Sequence, residues 1–110
     1  MVSEVADKLG LRILATGSDS PVSGGYVADL LSDVIANASE GCIWITVQLH
    51  LNVIAVAQLK KVAAILIPHG SLPDAKVIER AGKESIFLLQ GDADAFELCG
   101  RLYNLLGSST

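Results

Sequence analysis

Apolar and polar positions fall in blocks along this chain, and each block carries its own period. Val2, Val5, Ala6 and Leu9 recur at helical spacing with Ser3 as N-cap, and Gly10 stops the run. Arg12–Thr16 reads as a short strand, followed by the longest polar, turn-rich segment, Gly17–Gly25. Val27, Leu30, Leu31, Val34 and Ile35 then follow the spacing of a helix with one buried face. Cys42–Val47, rich in Ile, Trp and Thr, predicts a second strand. The turn Gln48–Asn52 leads to a helix over Val53–Lys61 with Asn52 as its cap. Ala63–Ile67 is nearly all apolar, as a strand covered on both faces is. After Pro68–Ser71, the run Ser71-x-x-Asp74 with Pro73 opens a helix carrying Val77, Ile78 and Ala81. Ser85–Leu89 is the fourth predicted strand. Gln90-Gly91-Asp92 precedes a last helix whose Ala95, Leu98, Cys99, Leu102, Leu105 and Leu106 share a face, with fraying expected from Gly107 to Thr110.

A helix followed by four strand–helix units predicts an α/β domain across residues 1–110. Helical crossovers pair strands in parallel and with right-handed connections. The expected architecture is a three-layer α/β/α sandwich around a small, mainly parallel four-stranded sheet. All strand-to-helix turns then lie on one edge, where open α/β sheets bind ligands. Those turns are Thr16 to Gly25, Gln48 to Asn52, Pro68 to Ser71, and Gln90 to Asp92.

Composition narrows the function classes. Hydrophobic residues are 51% and charged residues 18% of the chain, against a typical charged share of roughly 25%. The mean hydropathy is +0.49, yet no apolar run approaches the roughly 18 residues that a membrane span needs. A small domain cannot bury so much apolar surface alone, and the excess predicts a homodimer. The net charge of −4 and the scattering of Lys60, Lys61, Lys76, Arg80 and Lys83 among acids argue against nucleic acid. No basic, apolar leader opens the sequence, so the cytoplasm is the expected location, and the Asn37-Ala38-Ser39 sequon has no meaning there. Cys42 and Cys99 form no Cys-x-x-Cys pair and are expected as buried free thiols.

The chemistry on offer is sparse. His50 and His69, the two histidines, both fall in the turns of the carboxyl edge, and with Asp92 or Asp94 they offer three ligands for a metal. Their spacing matches no compact ligand signature, so hydrogen-bonded turn histidines are the competing reading. Gly24-Gly25 before a helix, and His69-Gly70-Ser71 before another, can each bring backbone N–H groups to an anion. P-loop spacing, Gly-x-Gly-x-x-Gly and Gly-x-Ser-x-Gly are all absent. No residue is assigned a catalytic role and no cofactor or metal is expected. Asp29 and Asp33 read as solvated acids on one helix face, and Trp44 as a core or interface residue whose N–H needs a partner.

Three segments carry a family resemblance: Gly24–Val34; Trp44-Ile45-Thr46-Val47-Gln48-x-His50-x-Asn52-x-x-Ala55-Val56-Ala57; and Ala95–Tyr103. They resemble a stand-alone DRTGG domain, a module similar in fold to the N-terminal domain of HPr kinase/phosphorylase. The naming motif is altered, with Leu49-His50-Leu51 where the family has Asp-Arg-Thr and His69-Gly70 where it has Gly-Gly. The resemblance implies a regulatory, ligand-sensing role and dimers. It implies no kinase activity, which in the HPr enzyme belongs to a separate P-loop domain. The expected role is therefore a non-catalytic domain binding a small, anionic metabolite and altering contacts with a partner protein. Gly24, Gly25 and Gly70 would offer backbone donors, while His50, Asn52 and His69 orient the ligand. The alternatives are a small metal-dependent enzyme using both histidines, or a pure protein-interaction module.

Overall fold

The computed structural model describes residues 1–107, so the fraying expected for Ser108–Thr110 lies outside the described residues. Gly107 itself ends a helix. Five helices and five strands follow in the order α1 (Val2–Lys8), β1 (Arg12–Ala15), β2 (Gly24–Val27), α2 (Leu31–Asn37), β3 (Cys42–Ile45), α3 (Asn52–Lys60), β4 (Ala64–Ile67), α4 (Ala75–Lys83), β5 (Phe87–Gln90) and α5 (Ala95–Gly107). Ser3, the expected cap, lies inside α1.

The sheet order is β1-β5-β4-β3-β2, with β2 to β5 parallel and β1 antiparallel to β5. The α/β architecture agrees with the sequence reading, whereas the sheet has five strands, not four. Every residue of β3, β4 and β5 is buried. Alternate side chains serve opposite faces. Cys42, Trp44, Ile65, Ile67 and Leu88 pack under α2, α3 and α4, while Ile43, Ile45, Ala64, Leu66, Phe87 and Leu89 pack under α1 and α5. Three successive crossovers run in one direction across the sheet, so their right-handedness puts all three helices on one face.

The added strand is β2. Gly-Gly is weak in a strand because it offers no side chain to pack, and the apolar period beginning at Val27 reads as helical. At Gly25 the missing side chain is what packing requires. A Cβ on Gly25 would stand 2.9 Å from Leu102 Cδ2, so α5 lies directly on the strand backbone. The helix predicted from Val27 begins at Leu31.

Antiparallel β1 changes the course of residues 16–23. β1 ends at the amino edge of the parallel strands, and β2 begins at that same edge on the far side of the sheet. The loop therefore crosses the width of the sheet beneath β5, β4 and β3. It is pinned by Ser18 N–H donating to Ser85 O, Val2 N–H donating to Ser20 O, and Ser23 N–H donating to Gly41 O. Thr16 to Gly25 thus does not belong to the carboxyl edge, contrary to the sequence reading.

The expected partner of the Trp44 indole is present. Its N–H donates to Ala28 O at 2.8 Å, tying the end of β2 to the core. Asp33 accepts from the Tyr26 hydroxyl at 2.7 Å and from Asn37. These hydrogen bonds, the tyrosine's first, hold its carboxyl below the ordinary range. Asp29 precedes α2 instead of sharing a helix face with Asp33.

The crossing loop approaches backbone most closely at Gly17, where a Cβ would lie 2.4 Å from Phe87 N and 2.6 Å from Ser85 O. At Gly24 nothing stands within 4 Å of that position. Gly17→Ala is expected to lower unfolding free energy by about 1–3 kcal/mol, the usual range for forced overpacking. Gly24→Ala should change it by less than about 0.5 kcal/mol. Urea denaturation of both variants reads the contrast.

Candidate functional site at the carboxyl rim

Four turns follow the parallel strands at one rim: residues 28–30 after β2, 46–51 after β3, 68–74 after β4 and 91–94 after β5. The first residue of antiparallel β1, Arg12, joins them. β3 and β4 are neighbours, so the turns bearing His50 and His69 are adjacent along this rim. Gly24 and Gly25 are not. Gly24 pairs with Cys42, the first residue of β3, which places both glycines at the opposite end of the sheet. The expected six-residue site is therefore divided, with His50, Asn52, His69 and Gly70 on the rim and the glycine pair away from it.

Each rim turn is fixed by its own hydrogen bonds. Asp29 accepts from Thr46 Oγ1 and from Val47 N–H, both at 2.9 Å, joining the first two turns. Thr46 Oγ1 in turn accepts from Gln48 N–H. His50 Nδ1 accepts from Asn52 N–H at 3.1 Å. That bond assigns the neutral ring's proton to Nε2, which serves as a donor on an exposed side chain. The ring thus accepts from the first N–H of α3, while Leu51 holds the cap position that the sequence reading gave to Asn52, itself the first residue of the helix.

Pro68-His69-Gly70-Ser71 closes a tight turn. His69 has φ 65° and Gly70 has φ 62°, and Ser71 N–H donates to Pro68 O at 3.2 Å. Two successive positive φ angles closed by this bond define a type I′ turn, which favours Asn-Gly. A histidine held in the left-handed region costs on the order of 1 kcal/mol or more. The turn is held from below. His69 N–H donates to Ala93 O at 2.8 Å and Gly70 N–H to Gly91 O at 2.7 Å, so Gly70 has no free donor for a ligand, contrary to expectation.

Beneath it lies Gln90, a buried polar side chain that ends β5. Its amide donates to Gly70 O at 3.1 Å and Ser71 O at 2.8 Å. Its Oε1 accepts from Arg12 Nε at 2.6 Å, and the same guanidinium pairs with Asp92. One side chain therefore joins the starts of β1 and α4 through the His69 turn. Sequence reasoning counted Gln90 only as a turn residue. The available signal was a polar amide at the end of the apolar run Ile86–Leu89.

The rim's acids are engaged within the fold. Asp74 accepts from Lys76 N–H at 3.0 Å and Asp94 from Glu97 N–H at 2.8 Å, capping α4 and α5. Among the described residues, no group of three His, Cys, Asp or Glu comes together as a metal would need. The metal-dependent alternative lacks its ligand cluster there. No hydrogen bond joins the two imidazoles. Cys42 is buried, and desolvation pushes its thiol up from the ordinary value, whereas Cys99 is exposed, contrary to expectation.

No family model and no curated protein matches this chain. Its α/β fold is similar to a crystal structure of the CBS and DRTGG domains of the regulatory region of Clostridium perfringens pyrophosphatase, complexed with the activator diadenosine tetraphosphate. The TM-score is 0.73 at 23% identity, covering 92% of this chain and 44% of that one. The chain thus spans less than half the length of that structure, and the likeness establishes a common fold. No described helix is long and apolar enough to cross a membrane.

Gln90→Leu keeps volume and removes all three side-chain hydrogen bonds, to Gly70, Ser71 and Arg12. It is expected to cost about 1–3 kcal/mol through the unmet carbonyls of Gly70 and Ser71, read by urea denaturation. His69→Asn, which restores the preferred Asn-Gly pair, should leave stability unchanged or raise it by up to about 1 kcal/mol.

Proposed function

We propose that this chain is a non-catalytic regulatory domain of DRTGG type, spanning residues 1–110, that senses a small anionic metabolite at the carboxyl rim. The observation that carries this reading is the adjacency of the His50 and His69 turns at the ends of neighbouring parallel strands. They occupy the two places where the resemblance puts its altered naming motif. The fold shared with a pyrophosphatase regulatory region, crystallised with a nucleotide activator, supports the same reading.

In this proposal His50 Nε2–H and the His69 ring contact the ligand, and the Asn52 side chain orients it. Gly70 shapes the turn. Gly24 and Gly25 leave the binding set. The caps on α4 and α5 leave little open helix-end potential for an anion, so recognition rests on the imidazoles. The domain acts as a homodimer in the cytoplasm and signals by altering contacts with a partner protein. The apolar side chains exposed around β2 support the dimer.

Thermal unfolding with diadenosine tetraphosphate, ATP, AMP and acetyl phosphate tests the ligand. A ligand at ten times its Kd adds about 1.4 kcal/mol, which for a domain of this size is a rise of roughly 5–10 °C. At least one of these compounds is expected to produce it with the wild type, and His50→Ala or His69→Asn to abolish it. Flat curves throughout, or full shifts in both variants, would overturn the reading.

A further inference from the structure

The two edges of the sheet are unequal. On β1, the edge carries Arg12, held by Gln90 and Asp92, and its pairing with β5 slips between Ile13 and Ala15. Charge and irregular pairing are the usual protections of an exposed edge. β2 has neither. Its residues are Gly24-Gly25-Tyr26-Val27, its pairing with β3 is regular, and no lysine or arginine occurs between Arg12 and Lys60.

The surroundings of β2 are apolar on the α5 side. A cleft of about 350 Å³ runs between β2 and α5, with Gly25, Val27, Cys99, Leu102 and Tyr103 among its walls. Val27 is 47% exposed and Tyr103 77%. At the end of the strand, exposed Leu30 and Val47 extend the patch, with Val47 bonded to Asp29. The nearby charges are internally satisfied. Asp29 holds Thr46 and Val47, Asp33 holds Tyr26 and Asn37, and Glu97 pairs with Arg101.

We propose that β2 is the seam of a two-fold dimer, pairing antiparallel with the same strand of a second copy. This deepens the dimer in the reading above and is independent of its ligand. A second copy supplies an equally short, unpaired edge by symmetry. Although each chain carries a net charge of −4, the seam sets no unpaired charge against its like. Ala28 N–H turns inward to Ile45 O. By the alternation of an extended chain, Val27 and Gly25 turn their own N–H and C=O outward. Pairing centred on Tyr26 places Val27 of one copy across from the partner's Gly25, beside the cleft that Gly25, Leu102 and Tyr103 line. A standard interface of roughly 800 Å² per partner is about a seventh of the 5866 Å² surface. The seam would draw on the strand, the cleft and the exposed side chains of Leu30, Val47 and Tyr103.

Sedimentation equilibrium of the ligand-free full chain, from micromolar to about 100 μM, tests the seam. The wild type is expected at twice the 11.5 kDa chain mass. Val27→Lys and Tyr103→Glu should each weaken association roughly tenfold or more, with unchanged far-UV circular dichroism. Leu59→Lys, an equal insertion of charge at an exposed leucine of α3, should leave it unchanged. A monomeric wild type overturns both the dimer and this seam. A dimer that survives both seam variants, or that Leu59→Lys disrupts equally, overturns the seam alone. Ligand-induced stabilisation is scored separately in the Val27→Lys monomer, so failure of the metabolite reading is distinguishable.

Discussion

Burial of both faces of β3, β4 and β5 is the constraint from which the rest of this structure follows. Those twelve residues are covered by α2, α3 and α4 on one side and by α1 and α5 on the other. A strand of four residues has little backbone pairing to rely on, so its stability comes from apolar contact above and below. Helical cover on both faces leaves the two rims and the two edges for interaction. The chain places both histidines, the buried amide of Gln90, and Asp29, Asp74, Asp92 and Asp94 at the carboxyl rim.

That rim is rigid in a specific way. Gln90 is polar and buried, and its three hydrogen bonds reach two segments: Arg12 at the start of β1, and Gly70 and Ser71 in the turn ahead of α4. Burying such a group costs free energy unless every bond is made. The His69 turn is therefore locked to β1 and β5, and its left-handed histidine is held where an asparagine would be less strained. A strained residue kept at an exposed rim has no stability rationale of its own. The imidazole is the part of His69 that asparagine could not replace, and it is the group that the proposed ligand contact requires.

The sequence made the central elements legible because continuous apolar runs at 42–45, 63–67 and 86–89 require cover on two sides. It also brought both histidines to the correct rim, since parallel strands with helical crossovers share an end. β2 was hidden for a physical reason. Its packing depends on atoms that are absent, and Gly24-Gly25 looks the same whether it frees a loop or admits a helix onto a strand. The direction of β1 was hidden as well. Residues 16–23 carry no helix, so the crossover rule did not apply, and only contacts with Ser85 and Gly41 reveal that they cross beneath the sheet. The Gln90 and His50 contacts were missed because they reach backbone atoms and, for Gln90, a side chain 78 residues away, none of which a residue pattern records.

These two omissions share one consequence. An antiparallel β1 at one edge and a glycine strand at the other make the sheet asymmetric, with charge and irregular pairing on one side and bare backbone beside apolar surface on the other. A chain this rich in apolar residues but poor in charge had to leave hydrophobic surface somewhere, and scattered exposure would need no explanation. Around β2, exposed Val27, Leu30, Val47 and Tyr103 border a strand whose outward polar groups lack a partner strand. Gly25 lets Leu102 of α5 settle onto the strand backbone, which closes the inner side of β2 while its outer edge stays without a partner strand. Close packing inside the domain thus coexists with an open edge, and the seam proposed for β2 follows from that contrast.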